Sequence, residues 1–174
     1  AMIAAAAAGH RELCHGQGAE LLWTRDPAPL SPLQVIEIFR RKTAPAFEGA
    51  LHLGALYTGV HTECAEVLQT YSRALGIAYQ IREDLEDLHA GTVTNHIDGR
   101  RPSLLLAIAY ERALGGDRDF LAQLWRRQTP PNATRVEVLC HKLEADLRCR
   151  QFLESYKDQA LRSLALLDNP SLKG

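Results

Sequence analysis

Apolar residues recur at helical spacing along most of the chain, and glycine and proline punctuate it at wide intervals. Ser31, Pro32 and Gln34 form the signature of a helix start, with a cap, a first-turn proline and a capping-box glutamine. We expect Pro45 to interrupt the helix that follows, because proline lacks a backbone N–H. The pattern predicts helices over residues 3–22, 32–43, 46–59, 63–88, 103–114, 118–127 and 134–167.

The composition also favours helices over sheets. Hydrophobic residues make up 46% of the chain and aromatic residues 6%, with many alanines and leucines and few valines and isoleucines. With 174 residues the chain is long enough to bury a core of its own. We therefore expect a single all-α domain over residues 1–174.

The charge and the cysteines exclude several classes of protein. A formal net charge of −1 lacks the basic excess of nucleic-acid-binding proteins, although a small phosphorylated ligand needs only a local site. The apolar run over residues 1–8 is too short for a membrane span. The cysteines form no CxxC pair, which is typical of reduced thiols in a cytoplasmic protein: Cys14, Cys64, Cys140 and Cys149. We expect a cytoplasmic protein without a nucleic-acid partner or a membrane-spanning helix.

The stretch over residues 76–88 carries four carboxylates within five positions, directly after small and apolar residues. On a helix, Gln80, Asp84 and Asp87 fall on one stripe, and Glu83 and Asp87 are also one turn apart. Carboxylates this close repel one another unless a cation lies between them. Hard oxygen ligands at this spacing suit Mg²⁺, which binds a few carboxylates together with phosphate oxygens. The alternative is a solvated acidic face, the usual fate of an isolated acidic cluster.

Polar residues elsewhere could complete a site with this stretch in a helical bundle. Gln17 and Glu20 lie in the first helix, Lys42 and Thr43 adjoin Pro45, and Arg101 follows a polar, glycine-bearing loop predicted at 90–99. Carboxylates with Mg²⁺, faced by lysine and arginine, can hold a diphosphate and stabilise the charge that develops as it leaves. Taken singly, each of these residues is more simply an ordinary surface or core side chain.

The ordered set of motifs resembles the carboxy-terminal half of trans-type polyprenyl (isoprenyl) diphosphate synthases. The resemblance covers residues 16 to about 105, whereas the remaining residues resemble the family only in being helical. The resemblance implies an antiparallel α-helical bundle of the isoprenoid synthase type. It also implies the activity of these enzymes, which join an allylic diphosphate to isopentenyl diphosphate using Mg²⁺. The motifs are Gly16-Gln17-x-x-Glu20-Leu21, Lys42-Thr43-Ala44, Leu53-Gly54-Ala55 and the run from Leu75 to Asp84.

The resemblance also implies roles for individual residues. The metal ligands it implies are Asp84, Asp87 and Glu83, the last standing where the family usually has aspartate. The substrate-binding residues it implies are Lys42, Thr43, Gln80 and Arg101. The catalytic residues it implies are Lys42, Thr43 and Gln17, with the glutamine facing the reacting centre.

The sequence departs from the family in having no second aspartate-rich cluster of the DDxxD kind. The family carries its first such motif, and its grip on isopentenyl diphosphate, in an amino-terminal half, and its chains are about twice as long. We therefore expect a partial fold that associates with itself or with the missing half. Alternatives are a non-catalytic or regulatory subunit of a heteromeric prenyl synthase, or a class I terpene cyclase.

Overall fold

The computed structural model describes residues 1–59, 61–89 and 101–167, and the predicted loop at 90–99 lies outside the described residues. All regular structure in the described part is helical, which confirms the all-α prediction. The second helix packs between the first and the third, the third packs on the seventh, and the fourth contacts the second, third and seventh. The helices are α1 Met2–Arg25, α2 Pro32–Thr58, α3 His61–His89, α4 Leu104–Arg112, α5 Gly115–Trp125, α6 Ala133–Lys142 and α7 Ala145–Leu164.

The start of α2 follows the sequence prediction, but its middle does not. Ser31 caps the helix through a complete capping box, in which each of Ser31 and Gln34 binds the backbone N–H of the other. The predicted interruption at Pro45 is wrong, because α2 runs unbroken through this residue. A proline inside a helix removes the hydrogen bond to the carbonyl four residues earlier, and its ring crowds that carbonyl. That carbonyl belongs to Arg41 and lies against α1.

The single helix predicted over 134–167 is also wrong. The structure divides this stretch into α6 and α7 at Glu144, whose φ of 53° lies in the left-handed region. The Arg112 guanidinium donates to the Leu143 carbonyl at 2.7 Å and pairs with the Glu144 carboxylate at 3.3 Å. A residue with this φ cannot lie inside a helix, so the helix ends before Glu144. No glycine or proline marks this break in the sequence, and in the structure it coincides with the contacts of Arg112 from α4.

The core unites the carboxy-terminal helices with α2 and α3. Trp125, Leu121 and Leu106 are fully buried, and the Trp23 ring meets the Trp125 ring edge-on at 5.4 Å between centroids. No helix in the described part of the chain is both long enough and apolar enough to cross a membrane.

All four cysteines are free thiols, as the sequence predicts, and three of them are buried. Burial raises the pKa of the Cys140 thiol to about 12, and the negative charge of Asp84 adds to this shift. Burial likewise raises the pKa of Cys149. A thiol with a raised pKa carries little thiolate and is a poor nucleophile, so both cysteines are packing residues.

Two glycines bring α1 and α3 into backbone contact with α2. A Cβ built on Gly16 would overlap the carbonyl group of Arg41, and a Cβ built on Gly76 would lie 2.7 Å from the Cα atom of Ala44. No side chain fits at either point without displacing a backbone. Residues 41–44, here the clamped segment, therefore lie between two helices, each of which touches the backbone of this segment through a glycine.

The amino terminus of α4 is capped from α3 by a buried carboxylate. Asp84 is 1% exposed, and its Oδ2 accepts hydrogen bonds from the Leu104 amide at 2.5 Å and the Leu105 amide at 3.1 Å. Ser103 Oγ accepts the next amide, that of Leu106, at 3.2 Å. Asp84 thus satisfies two amides that a helix leaves unpaired at its start, and its charge complements the helix dipole there.

We expect the clamp to make substitutions at Gly16 and Gly76 costly. Gly16→Ala and Gly76→Ala should each lower the free energy of unfolding by about 1–3 kcal/mol, because the added methyl group overpacks a backbone contact. Gly18→Ala in α1 is the matched control, since nothing lies within 4 Å of its added Cβ. This control should raise stability by about 0.5–1 kcal/mol through helix propensity. Urea unfolding measures both, and equal effects at Gly16 and Gly18 would contradict the clamp.

We expect Asp84→Asn to lower the free energy of unfolding by about 1.5–3 kcal/mol, because the neutral amide keeps the shape of the side chain but loses charge-assisted hydrogen bonds. Glu83→Gln, at the neighbouring half-buried position, should change stability by less than about 0.5 kcal/mol. Denaturation followed by circular dichroism compares the two variants. A wild-type stability for Asp84→Asn would show that the cap is unimportant.

Candidate functional site

The clamped segment carries Lys42 and Thr43, and its lysine pairs with Glu20 of α1. The Lys42 Nζ atom lies 2.7 Å from Glu20 Oε2, with the two side chains 20% and 7% exposed. The angle of this contact falls outside hydrogen-bond geometry, so it is an ion pair set by distance alone. Sequence analysis placed Glu20 near the site but missed this contact. The sequence feature that could have revealed this contact is the spacing of four residues between Gly16 and Glu20, which puts Glu20 on the face of α1 that meets α2.

Gln17 and Thr43 lie next to the same helix contact. Gln17 follows Gly16 in α1 and is exposed, whereas Thr43 is half-buried in the middle of the clamped segment. The structure therefore brings together the two motifs that the sequence places in separate helices. Their catalytic roles remain predictions.

The polar stripe of α3 differs from the predicted one. Gly76 faces α2, and residues four, seven and eleven positions further on return to the same side of a helix. These residues are Gln80, Glu83 and Asp87, all half-buried. Asp84 is turned by about 80° from this side, toward the amino terminus of α4. Asp84 thus differs from Gln80 and Asp87 in its burial, although it lies only about 40° round the helix from Gln80, and the predicted grouping of the three residues stays a prediction.

The acidic stretch thus divides into members with different surroundings. Asp84 is buried with its carboxylate bound to backbone amides, and metal binding by Asp84 stays a prediction that this placement weighs against. Glu83 is 39% exposed and lies 3.5 Å from Arg82, which also pairs with Glu86 at 3.3 Å. Glu83 and Asp87 are consequently the carboxylates of this stretch that share the side facing α2.

This donor set fits a magnesium ion shared with a ligand. Across residues 1–59, 61–89 and 101–167, no three histidine, cysteine, aspartate or glutamate side chains converge to hold an ion. Glu83 and Asp87 would supply two carboxylates one turn apart, and Mg²⁺ commonly takes one or two carboxylates with phosphate oxygens and water. A metal held here would therefore need oxygen donors from a bound diphosphate.

Arg101 is tied to the acidic end of α3 through the backbone. It is exposed and precedes Leu104 by three residues, and the Leu104 amide donates to Asp84 of α3. The basic residue Arg101 therefore lies three residues before the point where the start of α4 contacts the acidic stretch of α3. Its predicted contact with substrate is not tested by this placement.

The neighbouring cations of α2 are neutralised locally. Arg40 and Arg41 both pair with Glu37, and the hydrogen bond from Arg40 lowers the pKa of Glu37 to about 2. A cavity of about 570 Å³ lies beyond them, between α1, α2 and α3. None of the predicted site residues lines this cavity. The candidate site therefore lies outside this cavity, at the surface around Lys42.

Residues 1–143 match the family described as polyprenyl synthetase. The geranylgeranyl diphosphate synthase of Methanosarcina mazei is 34% identical over 80 residues, which cover 45% of this chain and 24% of that protein. The farnesyl diphosphate synthase of Escherichia coli is 34% identical over 91 residues, which cover 52% of this chain and 30% of that protein.

Solved structures of longer proteins contain the same fold. A polyprenyl synthase from Roseobacter denitrificans superposes with a TM-score of 0.88 at 22% identity, over 99% of this chain and 58% of that one. A polyprenyl synthase from Caulobacter crescentus, in complex with calcium and isoprenyl diphosphate, superposes with a TM-score of 0.84 at 24% identity, over 99% and 55%. The chain spans little more than half the length of these structures. Since the family match extends over most of its length, the chain belongs to the polyprenyl synthetase family.

Proposed function

We propose that this chain supplies the second metal- and diphosphate-binding wall of a trans-prenyltransferase that condenses an allylic diphosphate with isopentenyl diphosphate. The observation that carries the proposal is that Lys42 lies in the clamped segment of α2, which contacts α3, the helix that bears Glu83 and Asp87. The names of the curated relatives, geranylgeranyl and farnesyl diphosphate synthase, support this class of substrate.

Different residues of the chain would bind different parts of the metal–diphosphate complex. Lys42 offers an ammonium to phosphate oxygens, and Gln80 offers an amide one turn before Glu83 on the same side of α3. Glu83 and Asp87 would hold Mg²⁺, which neutralises charge on a diphosphate as it leaves. Gln17 and Thr43 place dipoles next to the clamped segment, where a developing positive charge would need them.

A complete site requires a facing wall from the other half of the fold. The printed sequence has one acidic cluster of this kind, and the chain spans 58% of the Roseobacter structure. Leu21 and Leu22 are 57% and 70% exposed, about one turn beyond Gln17, so apolar surface adjoins the site. We place the facing wall against this surface, supplied by a longer form of the chain or by a partner. The free thiols and the class of reaction suit a cytoplasmic location.

The proposal is tested by calorimetry with inorganic diphosphate and Mg²⁺. We expect binding by the wild-type chain that requires Mg²⁺, and a loss of at least about tenfold in affinity for Glu83→Gln combined with Asp87→Asn. Even the outer partners of metal ligands cost this much when they are removed. Glu86→Gln is the matched control, because this exposed carboxylate lies in the same stretch and pairs with Arg82.

The control should bind diphosphate as the wild type does. Equal affinities for the double variant and the control would exclude Glu83 and Asp87 as metal ligands. With an allylic diphosphate, isopentenyl diphosphate and Mg²⁺, we expect these 174 residues to bind substrate without forming elongated product. Product formation by them would contradict the need for a facing wall.

A further inference from the structure

We propose that Glu20 is a positioning residue that holds the Lys42 ammonium at the place where the diphosphate binds. The inference rests on the proposed function for its ligand, but the ion pair itself is a property of the ligand-free chain. Glu20 would act through Lys42 and would not itself contact the substrate.

The geometry of the α1–α2 contact allows Glu20 to act in this way. Gly16 lies one turn before Glu20 and presses on the backbone of Arg41 and Lys42, so the two helices are too close for an intervening side chain. A glutamate can then reach across the contact to the lysine on the next helix, at 2.7 Å. The pair is thus a direct consequence of the same glycine that clamps α2.

The two members of the ion pair differ in how deeply they are buried. The Glu20 side chain is 7% exposed and the Lys42 side chain is 20% exposed, so the glutamate is the more enclosed partner. Glu20 is the one ion-pair partner of Lys42 in the part of the chain that the structure describes. The Lys42 ammonium has three N–H donors, which can donate to a ligand while its charge stays paired with Glu20. Glu20 therefore anchors Lys42 from the buried side and leaves its exposed side to phosphate oxygens.

A positioning role predicts an effect opposite in sign to that of charge alone. A carboxylate near a bound anion repels it, so simple removal of the Glu20 charge should tighten diphosphate binding. Loss of an anchor should weaken binding, because a free lysine side chain must lose rotamer freedom when it grips the ligand. The direction of change in Glu20→Gln therefore separates the two roles.

The test is a double-mutant cycle of Glu20→Gln and Lys42→Met, measured by calorimetry with inorganic diphosphate and Mg²⁺. We expect Glu20→Gln to weaken binding by about fivefold, which is within the coupling typical of contacting charged groups. In the Lys42→Met background the same change should have no weakening effect. Unchanged or tighter binding by the single variant Glu20→Gln would overturn the proposal. If Glu20→Gln does not fold, Glu20→Asp keeps the charge with a shorter reach and should also weaken binding.

A second measurement needs no ligand and remains decisive if the chain binds no diphosphate, an outcome that would contradict the proposed function alone. Nitrogen-15 NMR of the lysine ammonium groups should give a slowly exchanging signal for Lys42, one of four lysines in the chain. Lys42→Met assigns this signal. We expect it to be lost in Glu20→Gln and kept in Glu86→Gln. Its persistence in Glu20→Gln would overturn the positioning role.

Discussion

The backbone contact of three helices at residues 41–44 is the constraint on which the rest of the structure depends. Gly16 and Gly76 contribute no side-chain atom at the two contact points, so α1 and α3 are held directly against the backbone of α2. Packed interiors resist displacement, and a segment held on two sides has little freedom to move. Because Lys42 and Thr43 lie within this segment, their backbone is pre-organised before any ligand arrives. Pre-organisation of this kind lowers the cost of orienting a reacting group.

Two buried carboxylates, Asp84 and Glu20, connect the helix packing to the candidate site, and each has a different kind of partner. Asp84 accepts the first amides of α4 and joins the acidic helix to the chain beyond residue 101. Glu20 is paired with an ammonium that stays partly accessible. A charge bound to backbone amides is a fixed part of the fold, whereas one paired with a lysine can influence what that lysine binds. The acidic residues of two neighbouring family motifs therefore need not share one role.

Membership of the polyprenyl synthetase family explains why the site residues occupy an open surface. The described helices superpose on a little over half of the Roseobacter structure, so that longer protein has further chain that this one lacks. Exposed Leu21 and Leu22 beside Gln17 are typical of a surface that meets another element. Under the proposed function, the helical scaffold and one set of candidate ligand-binding residues are present together, so diphosphate binding should be measurable apart from chain elongation.

Local sequence patterns predicted most of the helices and nearly every candidate residue, because helical period, caps and charge spacing are properties of neighbouring positions. They failed where a distant contact competed with a local rule. Pro45 does not break α2, and Glu144 breaks a helix that its sequence would continue. The spacing of the acidic stretch left two possible faces. The amides of α4, twenty residues away, turn Asp84 inward and leave Glu83 on the side facing α2. A hydrogen bond across that separation has no local signature, so it emerges only once the helices are packed together.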